Sequence, residues 1–350
     1  MTQTAGLPGY DHHESYEWNY DRPPDPVVVN VPSVPGNWTF CGLPVDSPIG
    51  IPAGPLLNGR WCLYYASLGF DLLTYKTVRS RARACYPMPN LQPVVCEQVA
   101  EQVAELPAAT KMNGSWAVSY GMPSQEPDIW RADVEATRDA LSAGKLLSVS
   151  VVATVQDGWT IDDIAADYAQ CAAWAVNSGA DVVETNFSCP NVSTCDGQLY
   201  QNPEAARHVA EQVRNSIGTV PYVAKIGHVP SRESAIRLLD ALNASVTAVA
   251  MTNSVATRVR SGADLLFDGQ KRGICGDAIL DASVTQVQMF DAIVRERGFT
   301  VELIGVGGIS NAAHVRRYLT AGATACHLAT AAMTNPGAAL QIRQALSVEL

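Results

Sequence analysis

Basic residues are few in this sequence. Its 350 residues include 24 lysines and arginines against 34 aspartates and glutamates, which gives a formal net charge of −10. A nucleic-acid-binding protein needs a basic stripe that neutralises phosphates. The charge balance therefore argues against nucleic acid as a partner.

Paired cysteines are lacking as well. The nine cysteines include no Cys-x-x-Cys pair, whereas disulfide frameworks, zinc sites and iron–sulfur clusters need paired spacings. We therefore expect neither a metal nor a disulfide framework, and free thiols indicate a cytoplasmic protein. His12 and His13 are adjacent, and we interpret them as part of a solvated tail and not as a metal site.

Long apolar runs are lacking too. No stretch approaches the roughly 20 apolar residues that a membrane span needs. The first 20 residues have neither the basic start nor the apolar run of a signal peptide. We therefore expect a protein without a membrane partner.

Short apolar runs are abundant, and they alternate with amphipathic, alanine-rich stretches. Residues 1–45 are rich in proline and poor in periodicity, so we expect an irregular arm that packs against the body or a partner subunit. The later alternation predicts parallel βαβ units. Eight such units over about 300 residues favour a (β/α)8 barrel over residues 46–350, with a doubly wound sheet as the alternative. The predicted strands are Ile49–Gly54, Leu72–Thr77, Leu146–Ala153, Asp181–Ser188, Tyr222–Ile226, Val246–Thr252, Val301–Gly305 and Ala325–Thr330. The predicted helices include Ile161–Asn177, Pro203–Ser216, Ser231–Asn243, Ser283–Arg297, Asn311–Ala321 and Pro336–Val348, with helix starts indicated at Asn202-Pro203, Ser231 and Asn335-Pro336.

Two connections are unusually long, Val78–Pro127 after strand 2 and Val255–Asp281 after strand 6. Long connections inside a compact fold are usually functional lids or binding loops. Both follow a strand, so we expect them at the carboxyl end of the barrel, where active sites of this fold are built.

A phosphate site is indicated after strands 7 and 8. Strand 7 runs into Gly305–Ser310, and strand 8 runs through His327–Thr330. Glycines expose backbone N–H groups, and the start of the next helix adds positive dipole. The alternative is that these glycines only turn the chain.

A thiol and two carboxamides share the loop after strand 4. The segment Glu184–Val192 contains Asn186, Cys189 and Asn191 around a proline. Carboxamides donate and accept hydrogen bonds, which suits a ring of alternating N–H and C=O groups, and a thiol can serve as a base. We interpret Cys189 as catalytic, whereas Cys171 and Cys326 are expected to be buried structural cysteines.

The sequence here resembles the dihydroorotate dehydrogenase superfamily, specifically its soluble class with a cysteine base. The resemblance spans about residues 45–345, and its most specific motif is the Asn-Phe-Ser-Cys-Pro-Asn run at 186–191. Further matching segments, in the family's order, are Pro52–Gly54, Tyr75–Thr77, Tyr86–Asn90, Ser119–Pro123, Ala224–Ile226, Thr252–Ser254, Gly305–Ile309 and Ala329-Thr330.

The resemblance implies FMN as cofactor, a homodimer, and oxidation of dihydroorotate or a close analogue with Cys189 as base. It implies that residues 192–201, including Ser193, Thr194, Asp196 and Gly197, form a mobile lid. The implied substrate-binding residues are Lys76, Gly121, Met122, Asn186, Asn191, Asn253 and Ser254. The implied cofactor-binding residues are Ala53, Gly54, Lys76, Thr77, Ser148, Asn186, Lys225, Thr252, Gly276, Gly307, Gly308, Ala329 and Thr330.

Departures from the family pattern leave the substrate open. Val118 stands where the resemblance places an asparagine, Ala329 replaces a glycine, and His228 follows strand 5 in place of proline or serine. A valine cannot hydrogen-bond, and losing one partner of a buried polar group costs about 1–3 kcal/mol. The alternatives are a relative acting on another dihydropyrimidine or cyclic amide, an inactive flavin-binding protein, and a barrel without flavin that acts as an isomerase or aldolase.

Overall fold

Eight parallel strands close into a barrel. The computed structural model describes residues 6–99, 103–188 and 195–347. Its strands are β1 Trp38–Phe40, β2 Leu43–Val45, β3 Ile49–Ile51, β4 Leu72–Val78, β5 Leu91–Pro93, β6 Glu105–Pro107, β7 Ser115–Val118, β8 Leu146–Val151, β9 Val182–Asn186, β10 Tyr222–Lys225, β11 Ala248–Met251, β12 Val255–Ser261, β13 Asp264–Leu265, β14 Arg272–Gly276, β15 Glu302–Val306 and β16 Ala325–His327. The barrel order is β3-β4-β8-β9-β10-β11-β15-β16, and β16 pairs back onto β3. The predicted (β/α)8 barrel is thereby confirmed, because a doubly wound sheet would leave its outer strands unpaired.

Helices precede, connect and follow the barrel strands. They are α1 Tyr16–Asp21, α2 Gly59–Ser67, α3 Pro127–Ala140, α4 Ile161–Asn177, α5 Pro203–Ile217, α6 Arg232–Leu242, α7 Leu280–Arg297, α8 Ala312–Thr320, α9 Thr330–Thr334 and α10 Ala338–Ser347. Asn202 and Ser231 cap α5 and α6 as predicted. The predicted start at Pro336 is wrong: Asn335 ends the short helix α9, and α10 begins only at Ala338. None of the helices in the described ranges is long and apolar enough to cross a membrane.

The two long connections pair with each other above the barrel. Strands β5 and β7 come from the first connection and β12 and β14 from the second, and β7 pairs antiparallel with β14. Their apolar side chains form a separate small core that includes Val94, Leu106 and Ile274. Because both connections leave the carboxyl ends of barrel strands, this sheet forms a wall over the barrel mouth.

The opposite end of the barrel is closed by the β1–β2 hairpin. Phe40, Cys41 and Val45 pack against apolar side chains of the barrel strands, among them Val182 and Ile304. The Cys41 N–H donates to the Glu302 carboxylate over 3.0 Å. The hairpin therefore buries apolar side chains, each contributing roughly 1.5–3 kcal/mol, at the end of the barrel opposite the loop sheet.

The expected irregular arm contains α1 and this hairpin in addition to extended segments, and it packs against the body. Tyr64 donates to the Pro8 carbonyl at 2.5 Å, and Arg343 Nε donates to the Pro32 carbonyl at 2.6 Å. The His12 ring lies 6.1 Å from the ring of Trp116 in β7. The expected solvated tail is therefore wrong for His12, which is half-buried where the arm turns toward the loop sheet, whereas His13 is exposed.

Candidate active site

A cavity lies at the carboxyl end of the barrel, between the strand ends and the loop sheet. Its empty volume, which includes space open to solvent, is about 840 Å³. We call it the wide compartment. Its walls include the predicted residues Ala53, Gly54, Lys76, Thr77, Gly121, Met122, Asn186, Lys225, Asn253, Ser254, Ala329 and Thr330.

A second space of about 330 Å³, the narrow compartment, adjoins the first. It contains the predicted Gly276, Gly307 and Gly308, and it shares Ala329 and Thr330 with the wide compartment. Gly308 has a φ of +70°, and a Cβ there would lie 2.5 Å from the Leu280 Cβ. Only glycine fits this position, so backbone N–H groups line this end of the site.

Lys225 is buried inside the barrel beside a carboxylate. Its Nζ lies 3.7 Å from Oε1 of Glu184, and both side chains are at most 3% exposed. Burial raises the pKa of Glu184, and the Lys225 ammonium partly offsets that rise. His327 on β16 is also buried; burial, followed by the charge of Lys225, lowers its pKa from 6.5 to about 3. His327 is therefore neutral at physiological pH.

Two carboxamide side chains fix the segment that follows β9, the fourth strand of the barrel. Asn186 Oδ1 accepts from the Ser188 N–H at 3.2 Å, and its Nδ2 contacts Met122 Sδ at 3.3 Å. Asn253 Nδ2 donates to the Ser188 carbonyl at 2.6 Å. These bonds tie the ends of β9 and β11 to the Gly121-Met122 turn, so three separate sequence motifs meet at one wall.

The Gly121-Met122 turn is held in an uncommon backbone conformation. Both residues have positive φ, +73° and +55°, and a Cβ on Gly121 would lie 2.7 Å from the Tyr86 ring. The buried Arg79 donates from Nε to the Met122 carbonyl at 3.0 Å. A buried charged donor thus stabilises a turn that most residues would disfavour.

Some predicted residues do not line either compartment. Ser148 and Thr252 are buried in the barrel but lie on neither wall. Cys189 and Asn191 lie outside the described residues, as do positions 192–194 of the predicted lid. The rest of that lid, Cys195–Gln201, forms a 3-10 helical segment.

Several wall residues had no predicted role. The aromatic and apolar ones are Leu91, Trp116, Tyr120, Met333 and Val306, and Cys275 lies beside them. Tyr120 and Cys275 directly precede the predicted site residues Gly121 and Gly276. Their position in the sequence next to those glycines could have identified them as wall residues. Val118, which stands where the family resemblance places an asparagine, lines the wide compartment. This departure from the family pattern therefore faces the site.

The family model "Dihydroorotate dehydrogenase" matches residues 37–350. A dihydroorotate dehydrogenase of Dictyostelium discoideum is 30% identical, covering 97% of this chain and 98% of that protein. The catalytic subunit of dihydroorotate dehydrogenase B (NAD(+)) from Desulforudis audaxviator is 27% identical over 87% of this chain and 88% of that protein. A ligand-free DHODH structure from Eimeria tenella superposes with a TM-score of 0.70 at 16% identity, covering 94% of this chain and 91% of that one, and supports the fold alone.

Proposed function

The chain belongs to the dihydroorotate dehydrogenase family, and from that premise we propose that it is an FMN-dependent dehydrogenase acting on a CH–CH bond next to a carbonyl. The substrate proposed first is dihydroorotate, which would be oxidised to orotate. The observation that carries the proposal is the continuous site, in which a wide compartment with amides and two lysines joins a narrow compartment lined by glycine backbone.

The residues present fit FMN. The cradle at Gly307 and Gly308 has no room for a Cβ: one on Gly307 would lie 2.5 Å from Ser283 Oγ. The Thr330 hydroxyl lines both compartments, is buried, and has no hydrogen-bond partner within the described part of the chain. Because buried polar groups are normally satisfied, this hydroxyl supports a polar ligand such as a phosphate. Lys225 would lie near the flavin ring of FMN, where its positive charge suits an electron-rich, reduced cofactor.

FMN, when bound, supplies the hydride acceptor. The chain's own residues orient the substrate and move its proton. Asn186, Asn253 and Ser254 would hold a ring of alternating N–H and C=O groups. Cys189 would take a proton from one ring carbon while a hydride leaves the neighbouring carbon, which gives an alkene conjugated to the carbonyl.

Anaerobic reduction tests the function. We expect the purified protein to be yellow, and its visible flavin absorbance to bleach when dihydroorotate is added without oxygen. Cys189→Ala should slow bleaching by about 10²–10⁴-fold, the usual contribution of a general base. Cys96→Ala, which removes a half-buried thiol away from the cavity, should bleach like the wild type. A protein that takes up no flavin would overturn the proposal.

The pH profile tests the base. An ordinary thiol has a pKa of about 8.5, so only a few per cent is thiolate at pH 7. The rate of flavin reduction should therefore rise with pH between 5 and 9. A flat profile over that range would contradict Cys189 as the base.

A second candidate substrate is another dihydropyrimidine or cyclic amide. Val118 on the wide-compartment wall favours it, because an apolar side chain there removes one hydrogen bond. Bleaching by a related lactam without bleaching by dihydroorotate would select this candidate.

The proposal also includes an assembly and a location. We propose an N-terminal arm of residues 1–45 on a barrel of residues 46–350, a homodimer, and a cytoplasmic site of action. Sedimentation velocity of the purified protein tests the dimer, and fractionation of the source cells tests the location.

A further inference from the structure

The N-terminal arm is anchored to the wall of the wide compartment. The Tyr16 N–H at the start of α1 donates to Oδ1 of the buried Asn90 at 2.9 Å. Asn90 Nδ2 in turn donates to the carbonyls of Tyr86, at 2.9 Å, and Ser119, at 3.2 Å. The arm is thus fixed to the segment that continues into Tyr120 and Gly121.

Two aromatic rings lie against the Lys76 ammonium. Its Nζ lies 4.3 Å from the Tyr120 ring centroid and 5.1 Å from that of Tyr16. The rings are edge-on to each other with centroids 5.6 Å apart. Lys76, Tyr16 and Tyr120 are 5%, 5% and 6% exposed. The rings therefore act on a largely desolvated cation, the setting in which cation–π attraction is strongest.

We propose that the N-terminal arm is part of the active site, and that Tyr16 is a positioning residue that, with Tyr120, holds the Lys76 ammonium at the cavity wall. Aromatic faces attract the ammonium through the ring quadrupole. One donor contacts the Gly54 carbonyl at 3.4 Å, and Lys76 lines the wide compartment. The ammonium so held would bind an electronegative carbonyl or carboxylate oxygen of the substrate. This last step rests on the function proposed above.

Ligand binding tests the role of Tyr16. Orotate is titrated into FMN-loaded protein and its dissociation constant read from the flavin difference spectrum, alongside KM and kcat for dihydroorotate. Tyr16→Leu should weaken orotate binding and raise KM by about 2- to 30-fold, the range a lost cation–π contact implies. Tyr16→Phe keeps the ring and should restore binding to near the wild-type value.

Trp18→Leu is the matched control on the same helix. Trp18 is half-buried, and its ring contacts Arg22 at 4.8 Å. This variant removes an aromatic ring from α1 without touching Lys76, so orotate binding should not change. Equal loss in Tyr16→Leu and Trp18→Leu would show that the ring only stabilises the arm, and would overturn the proposal.

Chemical labelling of Lys76 tests its contact with Tyr16 without relying on the proposed function. The protein is treated with a small lysine-acylating reagent, and the modified fraction of Lys76 is followed over time by mass spectrometry. Tyr16→Leu should acylate several-fold faster than the wild type, and Tyr16→Phe at the wild-type rate. If the wild type takes up no flavin but labelling behaves in this way, the proposed function fails and the positioning role stands. Unchanged labelling in Tyr16→Leu refutes the positioning role.

Discussion

Lys225 and Glu184 form an ion pair inside the barrel, and removing one partner would leave the other charge buried. Breaking such a pair costs about 3–5 kcal/mol, because the remaining charge keeps its desolvation penalty. The separation of 3.7 Å and the near-complete burial of both side chains put this pair in that class. Breaking this pair should therefore lower the free energy of unfolding more than breaking an exposed ion pair does.

Glu184→Gln is expected to lower the free energy of unfolding by about 3 kcal/mol or more in urea denaturation. The matched control is Glu233→Gln, which breaks the exposed Glu233–Arg237 pair on α6. An exposed pair contributes about 0–1 kcal/mol. Equal effects of the two substitutions would show that the interior pair is not desolvated.

His327 should make the fold acid-sensitive. Its pKa is about 3 in the folded chain and ordinarily 6.5, so below pH 6.5 the unfolded chain binds a proton that the native chain does not. Stability from the neutral ring is therefore complete above about pH 6.5 and is lost as the pH falls toward 3. The slope is at most about 1.4 kcal/mol per pH unit.

His327→Gln removes that titration. Urea denaturation at pH 7, 5.5 and 4.5 should show a stability loss on acidification that is smaller in the variant than in the wild type. Identical pH dependence in both proteins would mean that the pKa of His327 is the same in the native and the unfolded chain.

At the scale of the element, the glycine turn between β15 and α8 brings the backbone into the wall of the narrow compartment. Gly308 and Gly298 provide a matched comparison, since their φ angles are +70° and +66°. A Cβ on Gly308 would meet Leu280 at 2.5 Å, whereas one on Gly298 would meet nothing within 4 Å. The two positions share the same backbone strain and differ in the available space.

Gly308→Ala is expected to weaken FMN binding by about ten- to a hundredfold, because strain of about 1–3 kcal/mol would displace the turn. Gly298→Ala should lower stability by a similar strain energy and leave FMN affinity unchanged. Fluorescence titration of FMN into both apoproteins gives the comparison. Unchanged affinity in Gly308→Ala would place the phosphate elsewhere.

At the scale of the whole molecule, the two ends of the barrel have separate tasks. The β1–β2 hairpin closes one end with an apolar cluster, and the arm and the loop sheet enclose the cavity at the other. Phe40 contacts the barrel strands at the closed end and is 2% exposed.

Phe40→Ala should therefore lower the free energy of unfolding by about 3–5 kcal/mol, the cost of a large cavity in a core. The KM for dihydroorotate should stay within about twofold of the wild type, because no wall residue is changed. Thermal unfolding and steady-state kinetics together check this. A large change in KM at unchanged stability would contradict the separation of the two ends.

The sequence by itself determined the barrel and much of the site. Eight strand runs alternating with amphipathic helices are local signals, and consecutive βαβ units place each strand beside the previous one. Chain order therefore equals spatial order, so motifs at strand ends, such as Lys76 and Asn253, had to meet at one mouth. The glycines of the site could be predicted from the sequence, because a glycine indicates a backbone conformation or a close approach that other residues disfavour.

Only the tertiary structure decided the remaining contacts. Pairing of β7 with β14 joins Val118 to Gly273 across 155 residues, and both strands are too short to carry a periodic signal. The placement of Tyr16 against Lys76 and of Phe40 beneath the barrel likewise joins distant segments. Such contacts depend on which surfaces the folded chain brings together, and nothing in the local pattern of either segment specifies its partner.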